Sequence, residues 1–192
     1  MKNLFVRLII LLGLFTGATA RANGMSNVLF YIQPYEYTNE LKLAHYSQEY
    51  WYAQGPMVEP LAKEKLEKLY GNVTMCEGNQ TGKMLVWLQP RMFYNSQLRV
   101  FYGKITANVY TDTGKLVGSY VGESNQLGYL GIKPDYWLKK TYTTAMNNVT
   151  TKMKADSQLQ TLIDSPPTSA ATNTPCSMVT LLPVPKIRAM SF

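Results

Sequence analysis

Histidine is nearly absent from this chain of 192 residues: there is one, His45, and only two cysteines, Cys76 and Cys176. So few soft ligands exclude multi-histidine metal sites, zinc fingers and iron–sulfur clusters held by the chain alone, and no cofactor is expected. Charge is sparse too, at 16% of residues against 12% aromatic, which argues against a disordered chain. Phosphate-binding loops are missing. Gly114-x-x-x-Gly118 sits in a hairpin, and Gly122 to Gly131 lacks both the Lys-Ser/Thr ending and a strand-to-helix setting. Past the N-terminus no apolar run reaches the roughly 18 residues of a membrane span, so no transmembrane segment is expected in the mature chain.

The N-terminus reads as an address. Lys2 and Arg7 precede an apolar run from Leu8 to Phe15, and Ala18-x-Ala20 has the small-x-small form of a signal-peptidase site. Residues 1–20 are therefore expected to be a signal peptide, with a second cut possible after Ala22. Residues 21–164 would form one domain, and residues 165–192 a Pro-rich linker with an apolar tail. The expected location is periplasmic or otherwise secreted. Removing residues 1–20 takes two of 19 basic residues and none of 12 acidic ones, leaving a net charge of +5. That excess suits anionic lipid headgroups, cell-wall polymers or acidic proteins, while export makes nucleic acid an unsuitable partner. In an oxidising compartment Cys76 and Cys176 are expected to pair, closing a loop of about 100 residues that ties the tail to the body.

Residues 27–33 read as a first strand, apolar on both faces. Residues 35–56 are less regular and rich in tyrosine. They read as a loop packed over one sheet edge, or as a binding surface. Residues 58–70 repeat apolar positions at helical spacing, with Gly71-Asn72 as a stop. Met84 to Gln89 reads as a central strand. Leu98 to Thr111 and Leu116 to Val121 form a hairpin around Asp112-Thr113-Gly114-Lys115. The apolar parity of the first of these two strands switches at Gly103-Lys104, which predicts a β-bulge or bend there. Residues 134–155 read as a long helix whose stripe Leu138, Tyr142, Ala145, Val149 and Met153 covers a sheet face. The run after Cys176 reads as an edge strand, a partner-binding segment or a frayed tail. Its cysteine favours the strand.

Little here carries catalysis. A Ser–His–Asp triad would have to use His45, and no nucleophile elbow accompanies it. Glu36, Glu40, Glu64 and Glu67 read as ordinary solvated acids, so the chain is expected not to be an enzyme, and no metal site is expected. What stands out is the aromatic and basic content around Tyr50, Trp51 and Tyr52, and around Arg91, Phe93, Tyr94 and Arg99. These seven residues are the candidate partner contacts, either as an exposed sticky surface or as alternate members of strands facing the core.

The expected architecture is α+β: an antiparallel-dominated sheet of four to five strands, two helices packed on one face, and an extended C-terminal tail. The second face would be covered by the Tyr-rich segment and the tail, or by a partner. This order of elements resembles the YajG-like and LptE-like small envelope proteins of Gram-negative bacteria and auxiliary components of envelope transport systems. The resemblance is carried by Met84-Leu-Val-Trp-Leu-Gln-Pro-Arg91, Val109-Tyr-Thr-Asp-Thr-Gly-Lys-Leu-Val-Gly118 and Lys139-Lys-Thr-Tyr-Thr-Thr-Ala-Met146. It implies a non-catalytic accessory role with an envelope protein partner. Anionic lipid or cell-wall glycan is the alternative ligand. Many proteins of that kind are lipoproteins, and this chain has no lipobox cysteine at the expected new N-terminus.

Overall fold

Strand β1 (Ser26–Ile32) forms the spine of a five-stranded mixed sheet. The chain is described by a computed structural model over residues 26–78, 80–165 and 175–182. The expected signal peptide, and most of the linker and tail, lie outside those residues. Val28, Phe30 and Ile32 face one side of β1 and Leu29 the other, all fully buried, as its unbroken apolar run requires. Parallel pairing joins β1 to β4 (Val73–Met75) and to β5 (Gly82–Asn95). Antiparallel pairing then joins β5 to β6 (Val100–Thr111) and β6 to β7 (Leu116–Leu127), giving the order β4-β1-β5-β6-β7. The sheet is thus mixed, with its longest pairings antiparallel.

Between β1 and β5 the chain makes a short helix, α1 (Tyr35–Thr38), and a separate two-stranded sheet, β2 (Glu40–His45) with β3 (Gln48–Ala53). Helix α2 (Gln54–Tyr70) follows at once. The loop expected over residues 35–56 is therefore largely ordered secondary structure. Leu41, Leu43 and His45 alternate with outward residues, and Tyr50 and Tyr52 oppose them across the hairpin. α2 begins four residues before the expected start, because Pro56 falls in the first turn, where a missing N–H costs nothing.

Helix α3 (Pro134–Ala155) has the expected bounds, and its stripe Leu138, Tyr142, Ala145, Val149 and Met153 is fully buried. It lies over β6 and β7, α2 lies over β1 and β4, and the two helices touch. Two glycines permit the close approach. A Cβ on Gly122 would stand 2.0 Å from the Ala145 carbonyl oxygen, and one on Gly103 would stand 2.6 Å from the Thr141 methyl. No bulge forms at Gly103-Lys104: both residues stay in register with Met92 and Arg91 on one side and with Ser124 and Glu123 on the other. The irregularity falls instead between Val109 and Tyr110. The parity that faces the helices is Phe101, Gly103, Ile105, Ala107 and Val109, so Leu98, Val100 and Tyr102 never belonged to the core stripe. The turn after Thr111 forms as expected, with Gly114 at φ 89°.

β7 is an edge strand, and α3 guards it: Lys152 Nζ donates to the Val121 carbonyl at 2.6 Å and Asn148 Nδ2 to the Glu123 carbonyl at 2.8 Å. Such caps discourage pairing with another chain. Helix α4 (Ser157–Asp164) is N-capped by Asp156, which accepts from the Gln158 N–H.

The second sheet face carries a small core of Leu29, Leu85, Cys76 and Cys176, with Tyr31, Tyr110 and Val179 against it. Cys76 and Cys176 form a disulfide with a Cα separation of 5.4 Å. The segment it brings in is a 3-10 helix, Pro175–Leu181, and not the expected edge strand. The Tyr-rich hairpin packs with the helices on the first face, contributing Leu43 and Tyr52 to the main core, while Cys176 and Val179 of the 3-10 segment cover part of the second face.

Candidate functional site

The seven candidate contacts do not form one surface. Tyr52 and Tyr94 are buried in the main core and offer no ring face to a partner. Phe93 lies opposite Tyr102 across the β5–β6 pair, with ring centroids 6.1 Å apart. Tyr50 is half-buried, and its hydroxyl donates to Asp135 at the start of α3. Burial first, and then that carboxylate, push the Tyr50 hydroxyl up to about 12. Arg91, Trp51 and Arg99 end up in three separate settings.

Arg91 belongs to a polar network at the end of β1, where β5 runs on beyond it. Its guanidinium donates to Glu36 at 2.9 Å, to the Tyr35 hydroxyl at 3.2 Å and to the Pro90 carbonyl at 2.7 Å. Glu36 is only 3% exposed, so the solvated acid expected there is a buried one. Its other oxygen accepts from Gln54 Nε2 at 2.7 Å, while Gln54 Oε1 accepts from the Tyr142 hydroxyl at 2.6 Å. Tyr142 and Tyr52 hydroxyls lie 3.3 Å apart. Burial above all drives the Tyr142 hydroxyl well above its ordinary range. A buried acid whose oxygens are both satisfied holds elements together. It offers no free base.

The outer face of the β2–β3 hairpin is different. Lys42 lies directly across from Trp51, its ammonium 5.4 Å from the ring centroid, and pairs with Glu49 two residues along β3. Trp51 is 52% exposed. A half-exposed tryptophan is the residue type most enriched among interface anchors, and the Lys42–Glu49 pair beside it suits a polar rim.

At the far end of the sheet three loops converge. They are the β2–β3 turn at Tyr46-Ser47, the β5–β6 turn at residues 96–99 and the β7–α3 loop at residues 128–133. The Gly128 N–H donates to the Arg99 carbonyl at 2.8 Å, and the Arg99 guanidinium lies 5.6 Å from the Tyr129 ring centroid. His45 is buried between Tyr46, Tyr94 and Tyr129, at centroid distances of 4.6, 6.1 and 5.1 Å. Its Nδ1 has no hydrogen-bond partner among the described residues, whereas a triad base needs that nitrogen held by a carboxylate. The Gln48 side chain lies over Gly131, and Trp137 lies over Gly128 while donating to the Ile132 carbonyl at 3.1 Å. Large apolar side chains stand out from this scaffold: Tyr46 (94% exposed), Leu98, Leu127 (72%), Ile132 and Tyr136. Sequence reasoning singled out Arg99 and the buried Tyr94 here and none of these exposed apolar residues, because isolated leucines in turns carry no periodic signal.

Among the described residues no cluster of His, Cys, Asp or Glu could hold a metal ion, and no helix is long and apolar enough to cross a membrane. A groove lined by Val121, Glu123, Asn148, Thr151 and Lys152 runs between β7 and α3 and holds no aromatic ring.

No family model matches this chain, and no curated protein matches it. Among solved structures the chain is similar to the PelC dodecamer from Paraburkholderia phytofirmans. That match has a TM-score of 0.41 and 11% identity, and covers 65% of this chain and 89% of that one. A variant of the same dodecamer gives a TM-score of 0.40 at 11% identity, covering 66% of this chain and 88% of that one. At those scores the likeness carries no functional weight.

Proposed function

We propose that this protein is a non-catalytic accessory component of the bacterial envelope that binds a protein partner in assembly or transport. The observation that carries the reading is Trp51, held half-exposed beside Lys42 and Glu49 on a hairpin face whose residues Glu40, Lys42, Ala44 and Glu49 are exposed as well. An isolated hairpin is marginal in water. This one is anchored from its inner side by Leu43 and Tyr52, which leaves the outer side free for contact. The Cys76–Cys176 bridge suits an oxidising compartment. The signal-like N-terminus and the resemblance to small envelope proteins point the same way. A second reading is a module for lipid or cell-wall glycan, and the exposed apolar residues of the three-loop end favour its lipid form.

The test is a photo-crosslinking residue placed at Trp51 in intact cells, beside the same residue at Lys68 on the solvated face of α2. One defined protein captured from position 51 and not from position 68 is the expected result. Equal or empty capture from both positions removes the protein-partner reading.

A further inference from the structure

Three non-glycine residues among those described adopt positive φ: Tyr46 at 52°, Arg99 at 54° and Lys133 at 49°. All three fall in the converging loops, one in each. Left-handed backbone disfavours side chains with a Cβ, and glycine or asparagine is the ordinary occupant. The β2–β3 turn has two residues, and its first position is one where glycine is standard. Each loop therefore spends some backbone energy to present a long aromatic or cationic side chain at the same end of the molecule. Such strain concentrates where the side chain does something the fold does not need.

What these loops present has a specific chemistry. Leu98, Leu127 and Ile132 stand in water, with the rings of Tyr46 and Tyr136 beside them. Arg99 and Lys133 are exposed in the loops themselves, and Lys139 and Lys140 are exposed on the first two turns of α3. Of the nearby acids Glu49 pairs with Lys42, and Asp135 accepts from the neutral Tyr50 hydroxyl, so a single carboxylate is set against these four cations. We propose that this end is a docking surface for an anionic lipid bilayer, the apolar tips entering the headgroup boundary and the four cations facing lipid phosphates. Shallow insertion of Leu, Ile and aromatic side chains flanked by Lys and Arg is how interfacial proteins hold a membrane. A glycan is a poorer fit, because leucine and isoleucine offer sugars neither a flat ring face nor a hydrogen bond. A protein partner is a poorer fit as well, because protein interfaces deplete lysine at their centre. β5, β6 and β7 all reach this end, so the sheet would stand on the bilayer by its loops. The Trp51 face would look sideways.

The proposal rests on the envelope placement and not on the protein partner. Its test is co-sedimentation of purified protein, shown by mass to lack residues 1–20, with phosphatidylglycerol-containing and pure phosphatidylcholine vesicles. Binding to the anionic vesicles is expected, and salt should weaken it. The combined change Leu98→Ser, Leu127→Ser, Ile132→Ser should lower it at least about tenfold. Removing Arg99 or Lys133 should lower it about fivefold each. Lys133→Gly is the decisive variant, because relief of its φ leaves the fold as stable or more stable while binding falls. No binding of the parent protein to anionic vesicles overturns the proposal. So does equal binding by the triple-serine variant, or self-association in solution that the same three serines abolish. Capture of a protein at Trp51 alongside failed vesicle binding would sink this inference and leave the proposed function standing. Vesicle binding with nothing captured at Trp51 would do the reverse.

Discussion

The Tyr142 hydroxyl donates to Gln54 Oε1 at 2.6 Å across 88 residues of sequence, joining the middle of α3 to the first residue of α2. Gln54 is the hinge of the buried network, since its amide nitrogen also satisfies Glu36 at 2.7 Å. Gln54→Leu strands one oxygen of a buried carboxylate and leaves the Tyr142 hydroxyl only its longer contact to Tyr52 at 3.3 Å. The expected cost is about 2–3 kcal/mol, against about 1–2 kcal/mol for Tyr142→Phe, which strands the neutral amide oxygen and takes from the Tyr52 hydroxyl its 3.3 Å partner. Urea unfolding midpoints measured on both variants check the order.

The contact of α3 with the sheet depends on two glycines that differ in kind. At Gly103 the obstacle to a Cβ is the Thr141 methyl, a side-chain atom that can be deleted. At Gly122 it is the Ala145 carbonyl oxygen, which cannot. Gly103→Ala should cost about 1–3 kcal/mol, and Thr141→Ser should recover most of that loss. Serine keeps the hydroxyl that donates to the Trp137 carbonyl at 2.7 Å and drops only the methyl. Gly122→Ala should cost at least as much, and no side-chain change at position 141 or 145 should restore it. A double-mutant cycle on thermal unfolding separates the two cases.

The disulfide holds the 3-10 helix against a core of four buried residues among those described, Leu29, Cys76, Leu85 and Cys176. A patch that small cannot retain the segment once the covalent link is gone. Replacing both cysteines by serine should cost about 2–4 kcal/mol in the chain-entropy picture. It should also raise hydrogen exchange at Leu29 and Leu85 while leaving α3 protected. An unchanged exchange pattern would show that packing alone holds the segment.

What the sequence made legible was whatever repeats locally. The stripe of α3 steps by three and four, and its bounds follow from Pro134 and the loss of period after Met153. The turn at Asp112 to Lys115 announces itself by Gly114, and the cysteine pair by its compartment. The β2–β3 hairpin was legible in principle, since Leu41, Leu43 and His45 alternate with outward residues. The density of tyrosines masked it, because tyrosine suits a buried strand face and a binding loop equally well. Glu36 shows where sequence reasoning stops. An acid whose partners stand 18 and 55 residues away looks the same as a solvated one until the chain is folded. The three-loop end is hidden for the same reason, since tertiary convergence alone makes neighbours of Tyr46, Leu98 and Ile132.

Asp156 ties α4 to the sheet in a pH-dependent way. One carboxylate oxygen accepts from the Tyr120 hydroxyl at 2.6 Å and the other from the Gln158 N–H at 2.8 Å. The Tyr120 bond, followed by the backbone N–H of Gln158, holds this carboxyl below its ordinary value of 3.8. A carboxyl whose value is lowered in the folded state binds its proton less readily there than in the unfolded chain. Its stabilising contribution is therefore complete above the ordinary carboxylate range and is lost as pH falls through the lowered folded value. Asp156→Asn keeps an acceptor for the helix N–H and removes the charge, whereas Asp156→Ala removes both. At neutral pH stability should fall in the order parent, asparagine, alanine. In acid below the folded value the parent should converge on the asparagine variant, while alanine stays lower because the cap is still missing. A gap between parent and asparagine that persists unchanged into acid would mean that the charge on Asp156 does not hold α4 in place.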